Sequence, residues 1–185
     1  MNKPTAMVLI FDGVEEMEAT APIDLLRRAG VDVTVAAALD NREIEGRNGI
    51  RLVADKTLAD CRNQPVDLVV LPGGPGHADL LGHEALLSLL KEQADADKWI
   101  GSICAGPVVL DKEGILAGRN FTSFPGTREK LPERIPDRVV VMDGRLITSQ
   151  GAGTATHFAL ALVEALCGSA ERARVADSIC FPNRE

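Results

Sequence analysis

The sequence predicts an α/β fold built on a doubly wound, mostly parallel sheet sandwiched between helices. Three observations carry this. Short continuous apolar runs such as Ala6–Phe11 (AMVLIF) suit strands buried on both faces. Segments with apolar residues at helical spacing lie between these runs. The two kinds alternate through 185 residues, the rhythm of consecutive βαβ units, with no internal repeat, low-complexity tract or linker. That length fits one domain, here 1–185, with its own hydrophobic core.

The first strand, Ala6–Phe11, stops at the turn signal Asp12-Gly13. A helix follows, with Met17, Ala21, Leu25 and Ala29 recurring every fourth residue and Gly30 as its stop. Pro22 inside that pattern predicts a kink or an irregular first turn. Val33–Ala38 is a second strand. Within 39–58, Asn48-Gly49 sits between short segments and predicts a hairpin or excursion off the main sheet. Asp67–Leu71 is another buried strand, and it runs into Pro72-Gly73-Gly74-Pro75-Gly76. His83–Ala94 reads as a helix with Leu86, Leu87, Leu89 and Leu90 inward. Trp99–Ile103 is the next strand, Ala105–Asp111 opens a helix, and Phe121–Phe124 reads as a short strand. Val139–Met142 and Arg145–Thr148 flank Asp143-Gly144, a strong hairpin signal. Gly153–Cys167 is an apolar helix closed by Gly168, and Ala170–Ser178 is a final helix.

Composition removes several function classes. Lys and Arg number 20 against 27 Asp and Glu, a net charge of −7 with no basic run, which argues against nucleic acid as a partner. Aromatics are 3% with no Tyr, so a base-stacking platform is also excluded. The N-terminus lacks the apolar stretch and small-residue cleavage site of a signal peptide. No segment approaches ~18 uninterrupted apolar residues, so no membrane helix is expected. The expected setting is cytoplasmic. Cys61, Cys104, Cys167 and Cys180 are widely spaced and read as reduced thiols. There is no CxxC, no Cys/His pair at metal-ligand spacing, and no expected metal or cofactor.

In an open sheet of this kind, ligands bind beyond the carboxyl ends of the strands. Three informative stretches fall there. Cys104, in Gly101-Ser102-Ile103-Cys104-Ala105-Gly106-Pro107, stands between a strand and a helix, the placement of a nucleophile on a tight turn. The helix N-terminus beneath it would favour a thiolate and offer N–H groups to an oxyanion. The competing reading is a small buried apolar residue. Cys167, Cys61 and Cys180 fall at a helix end, in a polar loop and near the C-terminus, and are taken as structural. Glu15 and Glu16 suit a solvated first helical turn, whereas Glu18 is placed to face the sheet end, where desolvation would raise its pKa. Gly73 and Gly74 fit neither Walker A nor GxGxxG; their functional use would be a backbone N–H beside Cys104, the alternative a plain tight turn. His83 and His157 read as helix-surface residues, while His77 follows the Gly-rich loop and can approach the site. Arg28 and Arg47 are candidate anion contacts, with solvated cations as the alternative.

Together these pieces resemble the ThiJ/PfpI superfamily, closest to its branch containing the Parkinsonism-associated protein deglycase and bacterial YajL. The resemblance rests on Gly13-Val14-Glu15-Glu16-Met17-Glu18 with Arg27-Arg28-Ala29-Gly30, on Val70-Leu71-Pro72-Gly73-Gly74, on Ile103-Cys104-Ala105-Gly106-Pro107, and on Thr148-Ser149-Gln150-Gly151 with Gly153-Thr154. It implies a flavodoxin-like sandwich and a homodimer. It also implies Cys104 as an oxidation-sensitive nucleophile, Glu18 as its protonated carboxyl partner, and Gly74 and Ala105 as oxyanion-hole N–H donors. Arg28, and Arg47 from the other subunit, would lie nearby. Two departures matter. The human-type branch has a His near the Cys where this chain has Phe124, and the protease-like branch has a His directly after its Cys where this chain has Ala105. A peptidase or amidotransferase-like triad is therefore discounted.

The resemblance implies a cofactor-independent enzyme acting on methylglyoxal, glyoxal or early glycation adducts on proteins. In that reading Cys104 forms a hemithioacetal, Glu18 moves a proton between adjacent carbons, and water releases the hydroxy acid. The alternative is a non-enzymatic peroxide sensor or redox-regulated chaperone, in which Cys104 is oxidised to a sulfinate.

Overall fold

The computed structural model describes residues 3–182. In chain order its elements begin β1 (Thr5–Ile10), α1 (Glu16–Arg28), β2 (Asp32–Ala37), β3 (Glu43–Glu45), β4 (Arg51–Val53), β5 (Lys56–Thr57), α2 (Leu58–Cys61) and β6 (Leu68–Leu71). They continue α3 (His77–Leu80), α4 (Glu84–Asp95), β7 (Trp99–Ile103), α5 (Gly106–Lys112), β8 (Val140–Asp143), β9 (Leu146–Ser149), α6 (Ala155–Cys167) and α7 (Ser169–Ser178). Seven strands form the main sheet in the order β5-β2-β1-β6-β7-β9-β8, and β3-β4 form a separate ribbon. Every pairing in the main sheet is parallel except β8 with β9. This is the doubly wound α/β architecture, and its strand order places the reversal point between β1 and β6.

The strands are apolar throughout because both faces are covered. Met7, Leu9, Val69 and Leu71 join one core with Leu86, Leu90, Val109 and Leu110 of α4 and α5. The alternate residues Ala6, Val8, Leu68 and Val70 join the other with Leu25, Leu26, Phe158 and Leu162 of α1 and α6. The period of two along each strand thus feeds two layers. Among the described residues, no helix is long and apolar enough to cross a membrane.

Several expectations change. Residues 121–124 form no strand. Their backbone is spent elsewhere: Thr122 N–H donates to Thr148 Oγ1, and Phe124 N–H to the Cys104 carbonyl. Helix α1 runs through Pro22, whose ring is buried, so the proline removes one helical N–H without ending the helix. Met17 is 57% exposed, although the four-residue spacing counted it inward. Glu15 and Glu16 are buried, not solvated. Cys61 is buried at the end of α2 rather than in a polar loop, its Sγ 3.1 Å from the Thr57 carbonyl. His83 caps α4 by accepting the Leu86 N–H at 3.2 Å; His157 is exposed as expected.

The 39–58 excursion contains the β3-β4 ribbon, which turns at Asn48-Gly49 with Gly49 at φ +80, and β5, which joins the edge of the main sheet. Glu16 pins the ribbon. Its carboxylate accepts Asn48 N–H at 2.7 Å, Asn48 Nδ2 at 2.9 Å and Ile50 N–H at 3.4 Å. Burial alone would raise the Glu16 pKa, but these donors outweigh it and hold the carboxyl below its ordinary value. Glu16→Ala should therefore cost about 2 kcal/mol in urea unfolding and speed amide exchange at Asn48 and Ile50, leaving the main sheet protected.

Candidate active site

The ends of β1, β6 and β7 converge on Cys104. Cys104 has φ +63, a conformation that non-glycine residues rarely adopt and that exposes a side chain on a strand-to-helix elbow. Its neighbours hold it there: Cys104 N–H donates to the Ser149 carbonyl at 3.0 Å, and its carbonyl accepts Phe124 N–H at 2.8 Å. The backbone N–H groups of Ala105 and Gly74 lie near the thiol and favour its ionised form.

Glu18 comes from the first turn of α1, where Glu15 is the N-cap and accepts the Glu18 N–H at 3.0 Å. Glu15 N–H in turn donates to the Gly73 carbonyl at 3.0 Å, tying the β1 loop to the β6 loop. The Glu18 carboxyl is almost wholly buried. Its Oε2 accepts Gly73 N–H at 2.8 Å, and its Oε1 is buried without a hydrogen-bond partner. Gly74 sits at φ +111, where a Cβ would also lie 2.3 Å from the Gly13 carbonyl, so only glycine can present its N–H to the sulfur.

The two titratable groups raise each other. Burial pushes Glu18 up to about 7, with Glu15 adding to it and the Gly73 N–H, Cys104 and Arg47 opposing it. Burial, then the charge and hydrogen bonding of Glu18, push the Cys104 thiol up to about 12 against the Ala105 and Gly74 N–H groups. A helix-favoured thiolate independent of Glu18, as the sequence suggested, is not what this setting provides. Near neutrality the thiol keeps its proton, and Glu18 is the group that gains or loses one. When Glu18 is protonated, the charge opposing ionisation of Cys104 disappears.

Cys104, Gly74 and Ala105 line a cavity of about 290 Å³ together with Arg47, His77 and Phe124. Arg47 reaches it from its own chain, because Arg47 N–H donates to the Val14 carbonyl and the ribbon lies over the β1 loop. A contribution from another subunit is not needed to bring it there. Arg28 is not brought in: it closes α1 ten residues after Glu18, roughly 15 Å along the helix, and pairs with Asp24 at 2.9 Å. Lys130 also lines the cavity, and nothing in the local sequence marked it. His77 lines it too, its Nδ1 2.9 Å from the Gly74 carbonyl. Among the described residues no three His, Cys, Asp or Glu side chains gather as metal ligands.

An α/β sandwich carrying a cysteine on a strand-to-helix elbow beside a buried carboxyl defines the class of protein. The DJ-1/PfpI family matches residues 4–165, and the chain belongs to that family. It is 45% identical over 169 residues to Protein DJ-1 homolog B of Arabidopsis thaliana, covering 89% of this chain but 38% of that longer protein. It is 36% identical over 184 residues to the Glutathione-independent glyoxalase DJR-1.2 of Caenorhabditis elegans, covering 97% of each. The crystal structure of Drosophila melanogaster DJ-1beta superposes with a TM-score of 0.92 at 35% identity, covering 98% of this chain and 100% of that one.

A carboxyl raised from 4.5 to about 7 keeps a proton in the folded state that the unfolded chain has already lost. Stability from this group therefore falls as pH rises through that window. Relative to Glu18→Gln, the unmodified protein should lose up to ~3 kcal/mol between pH 4.5 and pH 8, read from urea unfolding at the two pH values.

Proposed function

We propose that this protein is a cofactor-independent, cysteine-dependent enzyme of the glyoxalase/deglycase type, acting on methylglyoxal, glyoxal or early glycation adducts. The observation that carries the reading is the Cys104 elbow at a cavity, with the buried Glu18 carboxyl beside it and the Gly74 and Ala105 N–H groups near the sulfur. Family membership and a glyoxalase-named relative support it.

The chemistry follows from the pair. The Cys104 sulfur bonds the aldehyde carbon, and the proton from the pair goes to the aldehyde oxygen, giving a hemithioacetal. That oxygen lies where the Gly74 and Ala105 N–H groups stabilise developing charge. Glu18, now ionised, takes the hydrogen of the former aldehyde carbon as a proton and returns it to the neighbouring carbon, while the hemithioacetal hydroxyl proton passes to the oxygen on that neighbouring carbon. The product is a 2-hydroxyacyl thioester on Cys104. Water cleaves it to a hydroxy acid and the free thiol. The substrate's own carbons are oxidised and reduced, so no external electron acceptor is required. A second reading, a peroxide sensor or redox-regulated chaperone, draws on the same N–H groups and carboxyl, which would hold the oxygens of a Cys104 sulfinate.

We also propose a homodimer in the cytoplasm. Met17 is exposed on α1 beside an open groove of about 510 Å³ shared with Ile179 and Phe181, a surface suited to covering by a second copy. Light scattering at micromolar concentration should give twice 19.7 kDa; a monomer overturns this.

Lactate formation from methylglyoxal by metal-free protein tests the enzyme reading. Cys104→Ser should abolish it, since a serine hydroxyl is far less acidic than a thiol and the Glu18 carboxyl is too weak a base to activate it. Glu18→Gln should lose ~10²–10⁴ in rate, because an amide cannot carry the proton. Full activity in Cys104→Ser overturns the enzyme reading. No turnover with clean peroxide oxidation at Cys104 replaces it with the redox one.

A further inference from the structure

We propose that Phe124 is a positioning residue for Glu18: its ring, slotted between Gly126 and Gly151, walls the carboxyl off from solvent entering the cavity. The proposal rests on the acid–base role given to Glu18 above. A Cβ on Gly126 would lie 2.8 Å from Phe124 Cε1 and 3.0 Å from Cδ1, so one edge of the ring passes where no side chain fits. A Cβ on Gly151 would lie 3.6 Å from Phe124 Cδ2 and 3.8 Å from Glu18 Oε1. The opposite edge of the ring and the unpaired carboxyl oxygen thus border the same point. Phe124, Gly126 and Cys104 line the cavity, whereas Gly151 and Glu18 do not. The ring therefore stands between the two, with the cavity on its Gly126 side and the carboxyl on its Gly151 side. Oε1 is accordingly buried without a partner.

The backbone holds the ring in this slot. Phe124 N–H donates to the Cys104 carbonyl at 2.8 Å, and the Phe124 carbonyl accepts Thr127 N–H at 2.9 Å and Thr127 Oγ1 at 2.8 Å. On the far side Gly151 N–H donates to Thr154 Oγ1 at 3.1 Å. A phenyl ring has neither donor nor acceptor. Beside Oε1 it excludes water and returns no hydrogen bond, a setting that favours the neutral acid. A histidine there could have offered an N–H to a carboxylate and held the charged form. Three groups from other directions also act on the carboxyl. Glu15 at the N-cap of α1 favours its neutral form, while Cys104 at the end of β7 and Arg47 in the ribbon favour the charged one. Burial is the largest influence of all, and Phe124 supplies it on the Oε1 side. Phe124 is itself 47% exposed, so its replacement leaves the core intact.

The test reads Glu18 directly, by carbon-13 NMR titration of protein labelled at the glutamate carboxyl carbons. The Glu18 resonance is the one missing from Glu18→Gln. Its midpoint in the unmodified protein should lie near 7. In Phe124→Ala water reaches Oε1, and the midpoint should fall by ~1 pH unit or more, at least a tenfold loss of proton affinity. Phe124→Leu keeps an apolar side chain in the slot and should stay near the unmodified value. Gly151 has φ 166, extended backbone that alanine also adopts. Adding Gly151→Ala to Phe124→Ala sets a methyl beside Oε1 and should bring the midpoint part of the way back. Glu18 must be protonated to start the route, so the alkaline limb of kcat/KM for methylglyoxal should move down with the midpoint. The wall is overturned by an unchanged midpoint in Phe124→Ala, an equal fall in Phe124→Leu, no recovery on adding Gly151→Ala, or a midpoint near 4.5 in the unmodified protein. Absence of lactate from the unmodified protein overturns the enzyme reading alone, because the titration does not depend on turnover.

Discussion

Three chain segments meet at Gly73, and the space between them admits a hydrogen but not a carbon. A Cβ on Gly73 would lie 2.6 Å from both Ala105 N and Cys104 Cβ, and 3.0 Å from Glu18 Oε2. The close approach is what lets one short loop serve two groups. Gly73 N–H reaches the carboxyl, and the next N–H, that of Gly74, reaches the sulfur. Any side chain at 73 would force the end of β6 away from the end of β7 and separate the acid from the nucleophile. The parallel register of β6 with β7, which sets Leu71 beside Ser102, delivers the two loops at the same height. Sheet geometry and active-site geometry are therefore one constraint.

That constraint also fixes the electrostatics. Neither Glu18 nor Cys104 would ionise readily alone in this setting, because burial opposes both charges. With the two placed together, the Glu18 charge opposes a Cys104 thiolate further, so the pair resists carrying two charges at once. The surrounding dipoles divide the two roles. Gly73 N–H steadies Oε2, and the Ala105 and Gly74 N–H groups steady the sulfur, while Oε1 is left as the exchangeable position.

Much of the scaffold was readable because it obeys local rules. Continuous apolar runs marked β1, β6 and β7, and glycines in Gly30 and Gly168 marked helix ends. The elbow at Cys104 was readable from its position between a strand and a helix. Glu18 was readable only against its neighbours, since three acidic residues in a first helical turn all invite the same solvated reading. Two of them instead have buried structural tasks: Glu15 caps α1 and Glu16 clamps the ribbon. Nothing in a local pattern distinguishes a carboxylate that accepts N–H groups from residues 48 and 50 from one that faces water. Lys130 and the orientation of His77 were unreadable for the same reason, as both depend on contacts across the fold.

The misreadings gather around the site, and Cys104 explains why. A residue at φ +63 departs from the backbone its sequence prefers. Its N–H still closes the β7–β9 ladder on the Ser149 carbonyl, but its own carbonyl is turned to the Phe124 N–H. Phe124 can donate there only if residues 121–124 stay out of a strand, so an apolar segment with strand-like composition is held in irregular form. The same logic applies to the acidic turn of α1, where local preference for solvent is overridden to anchor the loops that frame the cysteine. Local rules fail where tertiary contacts must hold a strained cysteine elbow in place. The departure of 121–124 from its own propensity is thus a consequence of the elbow, and the segment's exposed aromatic, Phe124, becomes part of the cavity wall as a result.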